Sequence, residues 1–296
     1  MAAVIVIGVV VTIVLAGTYA VWRVKYGPPR AGAPQVLCFH KISDRFCWEG
    51  TWTTADRFFA TIDRLLHRGY RFLDESQYLA AMEGTDGPSR DALFLTFDDG
   101  YRELYTVVLP GLAARAVPFH VFLVSEYAGR DNTWDLSLGR RPFRHLSWEE
   151  VAEMRARGVS FGSHGATHAD LTRLPLAAVR HELTISKAAI ESRVHRPVRT
   201  LSYPFGRYRE EVKRAARDAG YEAAFSLYPS HANARFDRYA IRRNAVYIVD
   251  PVRLVEAKLA GSRLFWCEEM KCRAINAAAV LTPILRNAGD RKARGS

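Results

Sequence analysis

Strand-like and helix-like segments alternate along the chain from residue 35 onward, and this alternation constrains the fold more than any other feature of the sequence. The strand-like segments are residues 35–39, 71–73, 92–97, 118–124, 159–162, 200–203, 223–227 and 240–246. The helix-like segments are residues 55–67, 76–82, 101–115, 147–157, 176–192 and 208–219. Such alternation predicts a parallel sheet, most simply closed as a (β/α) barrel. In these barrels functional residues gather at the carboxyl ends of the strands.

The N-terminal stretch predicts a membrane anchor. Residues 2–22 carry no charged side chain, and at about 1.5 Å per residue they would form a helix of about 31 Å, long enough to cross a bilayer core. Because the basic residues Arg23, Lys25 and Arg30 follow this stretch, an uncleaved transmembrane helix is favoured over a signal peptide. The same charges favour a cytoplasmic C-terminal side, but large domains can cross against a weak bias, so the side stays open. Residues 23–34 form a Pro- and Gly-rich tether.

The remaining chain divides into a catalytic domain, residues 35–260, and a C-terminal helix with a basic tail, residues 261–296. That helix either packs on the barrel, which we favour, or lies on a membrane surface. The four cysteines form no C-x-x-C pair, which argues against a structural zinc ribbon. The net charge is +11, but the basic residues are scattered and no nucleic-acid-binding motif occurs. We therefore expect no nucleic-acid partner.

A pair of carboxylates follows the apolar segment 92–95, in Thr96-Phe97-Asp98-Asp99-Gly100. Gly100 allows the backbone to turn sharply, so both carboxylates can face one point at the end of a strand. Two negative charges that close together favour either a shared proton or a bound cation. The alternative is an Asx-type turn that caps the next helix.

Two histidines four residues apart, His164 and His168, follow the predicted strand 159–162. Their imidazoles can reach one ion from a helical face or from a tight loop. With Asp99 they would form a site with three protein ligands and an open position, which is typical of catalytic rather than structural zinc. Asp98 would then be free to take a proton from a water whose pKa the ion lowers.

Five short motifs carry a resemblance to a known family. They are Val36-Leu37-Cys38-Phe39-His40-Lys41-Ile42, Thr96-Phe97-Asp98-Asp99-Gly100, Leu146-Ser147-Trp148, His164-Gly165-Ala166-Thr167-His168 and Ser202-Tyr203-Pro204-Phe205-Gly206. In this order they resemble the polysaccharide deacetylase family (NodB-homology domain, carbohydrate esterase family 4) over roughly residues 35–249. Its permuted poly-N-acetylglucosamine deacetylase subgroup is the most similar. The resemblance implies a distorted (β/α) barrel and metal-dependent hydrolysis of an N-acetyl or O-acetyl group from a sugar.

The resemblance also implies roles for individual positions. Asp98 matches the general base, and Asp99, His164 and His168 match the metal ligands. Gly165 stands where the family often has Ser or Thr, and we do not expect this difference to affect coordination. Zinc is the expected metal, and nickel or cobalt would suit the same ligands.

One arginine of the family is missing from its usual place. Ser202 stands where the family has an arginine that orients the base. Arg243, in Ala240-Ile241-Arg242-Arg243, resembles the substitute that the subgroup uses, and Arg242 is the second candidate. The alternative interpretation of Arg243 is an exposed structural arginine.

The remaining site residues are aromatic or histidine. Phe205 stands where the family has Tyr, and its backbone N–H can keep the family's role of stabilising the oxyanion. Tyr203, Phe205 and Trp148 are predicted to offer aromatic faces to a sugar, with core packing as the alternative. No Leu-x-His motif follows residue 206, so His40 is the predicted general acid. A role in holding the site together is the competing interpretation of His40.

These observations predict a membrane-anchored, metal-dependent carbohydrate deacetylase whose substrate contains N-acetylglucosamine. Two alternatives stay open. One is a deacetylase or deformylase of a lipid-linked sugar, which the predicted membrane helix favours. The other is a glycan-binding protein with a vestigial site, for which the changed arginine and general-acid positions give some support.

Overall fold

The computed structural model describes residues 34–45, 47, 50–83, 89, 91–134, 142–227 and 236–259. Three predicted segments lie outside the described residues: the transmembrane helix (2–22), all but the last residue of the tether (23–34), and the C-terminal helix and tail (261–296). Within the described ranges, no helix is both long enough and apolar enough to cross a membrane.

Nine parallel strands form the main sheet, in the order β10-β9-β8-β7-β6-β5-β1-β11, with β4 paired to β5. Its strands are β1 (Gln35–Phe39), β4 (Arg71–Leu73), β5 (Ala92–Phe97), β6 (His120–Leu123), β7 (Ser160–Ser163), β8 (Thr200–Ser202), β9 (Ala223–Ser226), β10 (Ile241–Arg242) and β11 (Asn244–Ala245). A separate two-stranded sheet pairs β2 (Lys41–Ile42) with β3 (Trp52–Thr53).

The segment 241–245 closes the sheet. The sequence predicted one strand over 240–246, but the structure has two short strands separated by Arg243. Ile241 pairs with Phe225 of β9, and Asn244 pairs with Leu37 of β1. Because consecutive strands join opposite edges of the sheet, the strands form a nearly closed barrel, which confirms the predicted (β/α) barrel.

Helices connect most of the parallel strands. They are α1 (Ala55–His67), α2 (Glu75–Ala81), α3 (Leu109–Ala113), α4 (Trp148–Ala156), α5 (Leu176–Val194), α6 (Glu210–Asp218) and α7 (Val252–Leu259). The predicted helix 101–115 is instead a π-helical turn, Leu104–Val108, followed by α3. Pro110 has no N–H to donate to the preceding turn, which accounts for this interruption. The sequence analysis did not predict α7.

The alternation of side chains along each strand decides which residues enter the barrel. On β5, Leu93, Leu95 and Phe97 belong to the large core that includes residues of the surrounding helices. Phe94 belongs instead to an inner cluster, in which the ring of Tyr78 from α2 stacks on it at 4.4 Å. The inner cluster consists of Val36, Tyr78, Leu79, Phe94, Phe122, Ala223, Phe225 and Ile241. The interior of the barrel is therefore packed mainly with apolar side chains.

A buried carboxyl group also lies inside the barrel wall. The Glu75 side chain, at the start of α2, is 12% exposed and accepts a hydrogen bond of 2.9 Å from Thr200 Oγ1. Burial raises the pKa of Glu75 from 4.5 to about 7, although the Thr200 hydrogen bond and the nearby Arg199 oppose this change. The folded protein therefore holds a proton on Glu75 at pH values where the unfolded chain releases it.

We expect Glu75→Gln to stabilise the protein increasingly as the pH rises. Because the folded pKa of Glu75 lies above the unfolded one, the wild-type protein loses stability between about pH 4.5 and 7. At pH 8 the free energy of unfolding of Glu75→Gln should exceed that of wild type by about 1–3 kcal/mol. Urea unfolding at pH 5 and pH 8 measures this difference, with the exposed Glu211→Gln as control. A difference that does not change with pH would contradict this prediction.

Candidate active site

A sharp turn at the end of β5 brings two carboxylates into the barrel mouth. Asp99 and Gly100 both have left-handed backbones, with φ of 67° and 70°. Glycine suits the left-handed conformation at position 100, and a Cβ atom there would lie 2.6 Å from Leu123 Cδ2, so the Leu123 side chain would have to shift. Asp98 and Asp99 are both buried. Their side chains contact the barrel residues described below rather than capping the next helix.

Asp99, His164 and His168 meet at one point. Asp99 Oδ1 lies 3.6 Å from His164 Nε2 and 3.4 Å from His168 Nε2. A tetrahedral ion bound about 2.1 Å from each ligand needs ligand atoms about 3.4 Å apart. The three residues therefore fit a divalent metal such as zinc, and they are one of the two groups of metal-ligating side chains found within the described ranges.

The backbone of β8 fixes the tautomer of His164. Its Nδ1 lies 2.7 Å from the carbonyl oxygen of Ser202, so Nδ1–H donates and Nε2 keeps its lone pair. Burial lowers the pKa values of both His164 and His168, so both imidazoles are neutral near pH 7. A neutral imidazole whose second nitrogen is held by a carbonyl is the usual form of a metal ligand.

Arg243 holds Asp98. Its Nη1 and Nη2 donate to Asp98 Oδ1 and Oδ2 at 2.7 Å and 2.6 Å, and Nη2 also donates to Ser202 Oγ at 2.8 Å. The Arg243 side chain is 0% exposed, so the alternative interpretation of Arg243 as an exposed structural arginine is wrong. The second candidate, Arg242, is the last residue of β10, and because Ile241 before it belongs to the inner cluster, side-chain alternation directs Arg242 away from the interior.

The Arg243 pair sets the charge of Asp98. Burial by itself would raise the pKa of Asp98, but the guanidinium of Arg243 and the nearby His164 outweigh it and hold that pKa well below its usual range. Asp98 is therefore an anion across the physiological pH range. Its Oδ2 lies 3.9 Å from His164 Nε2, directly beside the candidate metal ligands.

His40 follows β1 and lies beside Asp98. Its Nε2 is 3.8 Å from Asp98 Oδ2. Burial lowers the pKa of His40 to about 4, although Asp98 opposes this change. Cys38, two residues earlier on the same face of β1, donates its S–H to Asp98 Oδ2 at 3.6 Å. The role of His40 as general acid stays a prediction.

The predicted aromatic residues lie in different surroundings. The ring of Phe205 is 4.8 Å from the ring of His168, beside the candidate metal ligands. Tyr203 points outward from β8: it is fully buried and its hydroxyl donates to the carbonyl of Tyr239 at 2.9 Å. Trp148, at the start of α4, packs against the outer core. Core packing therefore accounts for Tyr203 and Trp148, and a sugar contact for either of them has no support in the site.

Backbone strain is concentrated at the site. Among the described residues, the five non-glycine positions with positive φ are Asp99, Ala116, His168, His195 and Phe205. Three of them are predicted site residues that lie around the metal-ligand cluster. Left-handed non-glycine residues persist only where surrounding contacts hold them, and they are common at functional sites.

Two residues of the site were missed by the sequence analysis. His145, for which no sequence motif predicts a role, donates from Nδ1 to the backbone carbonyl of Asp99 at 2.8 Å and so supports the left-handed turn. Glu182, on α5, accepts hydrogen bonds from the loop between the two histidine ligands. The sequence held a signal for Glu182, because a charged residue on the apolar stripe of a helix needs a buried partner. No such signal pointed to His145.

Sequence comparisons agree with this geometry. The profile of the polysaccharide deacetylases matches residues 85–224. The chain is 27% identical over 208 residues to YxkH of Bacillus subtilis, which is described as a polysaccharide deacetylase. The aligned region covers 70% of this chain and 69% of YxkH. It is 24% identical over 202 residues to the poly-beta-1,6-N-acetyl-D-glucosamine N-deacetylase of Staphylococcus epidermidis, with coverage of 64% and 66%.

Structural comparison supports the fold. The deacetylase PplD of Streptococcus pyogenes, solved in complex with acetate, superposes with a TM-score of 0.65 at 19% identity, covering 78% of this chain and 99% of PplD. The barrel and the carboxylate–histidine cluster at its mouth define a hydrolase of the carbohydrate deacetylase class, which acts on carbon–nitrogen bonds. Residues 85–224 form a domain of the polysaccharide deacetylase family.

Proposed function

We propose that this chain is a metal-dependent deacetylase that removes N-acetyl groups from a carbohydrate containing N-acetylglucosamine. The observation that carries the proposal is the position of Asp98. Arg243 holds this carboxylate as an anion, and its Oδ2 lies 3.9 Å from His164 Nε2. A base beside a cluster of three metal ligands is the arrangement that hydrolysis of an amide requires.

The roles of the residues follow from their positions. A bound divalent metal would lower the pKa of a water and polarise the acetyl carbonyl. Asp98 accepts the proton of the attacking water, and the two N–H donors of Arg243 keep the carboxylate oriented. Phe205 supplies a backbone N–H to the developing oxyanion. His40 delivers a proton to the departing amine, and it can receive that proton from Asp98, 3.8 Å away.

Ser202 explains how this chain keeps an arginine on the base. The small Ser202 side chain leaves room for the guanidinium of Arg243, which reaches Asp98 from the closing segment of the barrel. The oriented base therefore survives the change at position 202. This supports an active enzyme over a glycan-binding protein with a vestigial site.

Zinc is the proposed metal, with nickel and cobalt as alternatives that the same ligands suit. The substrate proposal draws on the relative from Staphylococcus epidermidis, whose name specifies poly-beta-1,6-N-acetyl-D-glucosamine. The second candidate substrate is a lipid-linked sugar. We also propose that the uncharged residues 2–22 anchor the enzyme in a membrane, and an anchored enzyme would lie close to a lipid-linked sugar. The charge pattern leaves open which side of the membrane the enzyme faces.

The test is acetate release by the purified, zinc-loaded full-length protein from N-acetylglucosamine oligomers and from a lipid-linked N-acetyl sugar. We expect release of one acetate for each N-acetyl group hydrolysed, and the rates of release from the two substrates decide between the polymer and the lipid-linked sugar.

His168→Ala is expected to lose tight zinc binding and acetate release together, because it removes one of three ligands. Formate release from a formylated sugar would instead indicate a deformylase.

Three outcomes would contradict parts of this proposal. One equivalent of bound zinc without release from either sugar would mean that the substrate class is wrong. No bound metal would contradict the metal-dependent mechanism. Activity that leaves the membrane fraction during an alkaline carbonate wash would contradict the anchor.

A further inference from the structure

The loop between the two histidine ligands is tied to helix α5 by one carboxylate. Glu182 is only 8% exposed and lies on the buried face of α5, beside Val179 and Leu183. A charged side chain at such a position is costly unless its oxygens accept hydrogen bonds. Among the residues that the structure describes, the donors to Glu182 lie in the segment between His164 and His168.

Both carboxylate oxygens are used. Glu182 Oε2 accepts from the backbone N–H groups of Ala166 and Thr167 at 2.8 Å and 3.0 Å. Oε1 accepts from the hydroxyl of Thr167 at 2.6 Å. Hydrogen bonds to a charged acceptor are about twice as strong as neutral ones. The three bonds together fix the middle of the loop relative to α5.

The loop needs this restraint because His168 has a left-handed backbone, with φ of 61°, which is unfavourable for a residue other than glycine. Gly165, with φ of 79°, adopts the same region without that cost. His164 is held independently, because its Nδ1 donates to the carbonyl of Ser202 at 2.7 Å. Residues 165–167 join the backbone of His168 to that of His164, and the carbonyls of Gly165 and Ala166 also accept hydrogen bonds from the N–H groups of Ser125 and Glu126. The distance between the two ligand nitrogens therefore depends on how firmly that segment is held.

We propose that Glu182 is a positioning residue that keeps His168 at the spacing a metal ion requires. The inference rests on the proposed metal-dependent function, since it concerns the affinity of that same site. Glu182 contacts neither the metal ligands' nitrogens nor the base Asp98, so it acts only through the loop. Its removal should leave the ligands present but poorly spaced.

The test compares zinc dissociation constants, measured by competition with a chelator, for the full-length protein and its variants. Glu182→Ala is expected to weaken zinc binding by about 10- to 100-fold, the range found when groups that support metal ligands are removed. Glu182→Gln should lie much closer to wild type. Its amide oxygen can accept both backbone N–H groups, and its NH2 group can donate to the Thr167 hydroxyl.

Two controls separate positioning from general stability. Ile190→Val, two turns further along α5, removes a buried methyl group and should lower Tm while leaving the zinc affinity unchanged. Thr167→Val changes an exposed residue and removes only the hydroxyl donor, so it should fold and bind zinc more weakly than wild type. If Glu182→Ala does not fold, Thr167→Val decides the question.

If Glu182→Ala binds zinc as tightly as wild type, the inference is overturned and Glu182 is a packing residue. If Glu182→Ala does not fold, wild-type zinc affinity in Thr167→Val overturns the inference instead. Equal weakening in Ile190→Val would also overturn it, because the effect would then follow stability. A wild-type protein that binds no zinc would instead overturn the proposed function. The two failures are therefore distinguishable.

Discussion

Asp98→Asn is expected to lower kcat for acetate release by about 10²–10⁴-fold, the usual contribution of a general base. Asparagine has almost the same shape as aspartate but cannot accept a proton from the attacking water. Asp98 belongs to the second group of side chains that could hold a metal, with Cys38 and His40, and not to the cluster of Asp99, His164 and His168. The variant should therefore still bind one equivalent of zinc at that cluster. Steady-state kinetics and zinc titration of the same preparation measure the two effects.

Asp63→Asn is the matched control for this change. Asp63 lies on α1 and forms an exposed salt bridge with Arg115, at 2.6 Å. The same chemical change there should leave kcat unchanged. An Asp98→Asn variant with wild-type kcat would mean that another group takes the proton, and a variant that loses zinc would mean that Asp98 is a ligand.

Arg243→Met is expected to lower the free energy of unfolding by about 3–5 kcal/mol, because it leaves the buried Asp98 carboxylate without its partner. Acetate release should fall with it, since the base is no longer oriented. Without the guanidinium, burial should raise the pKa of Asp98 above its unfolded value. The loss of stability should therefore be largest at neutral pH and smaller near pH 4.

The double variant Asp98→Asn/Arg243→Met tests the physical cause. If an unpaired buried charge destabilises Arg243→Met, removing that charge should restore part of the free energy of unfolding. Urea unfolding of the two single variants and the double variant forms the thermodynamic cycle. A double variant no more stable than Arg243→Met at pH 7 would contradict the coupling between these two side chains.

The sequence predicted the barrel because strand and helix periods are local properties. The position of Asp98 and Asp99 at a strand end followed from an apolar run that stops at a glycine. The closing segment was harder to predict. Residues 241–245 read as one strand, and only its pairing with β9 on one side and β1 on the other divides it in two.

The structure also decided between alternatives that the sequence left open. Arg243 and Arg242 are adjacent, and the alternation of side chains across the strand places Arg243 inside the barrel on Asp98. Tyr203 was predicted as a substrate-binding residue from its motif. Its neighbour Ser202 has the inward position, and the Tyr203 ring is therefore fully buried in the outer core.

By itself, the sequence determined the residues that can do the chemistry, Asp98, Asp99, His164 and His168, because the motifs place their chemical types at strand ends. Only the tertiary structure showed which groups support those residues, since it selected Arg243 over Arg242 and added His145. Arg243 lies 145 positions from Asp98 along the chain, and His145 lies 46 positions from Asp99. No local pattern encodes such pairs, because their contacts exist only after the parallel strands and the loops that follow them have packed together.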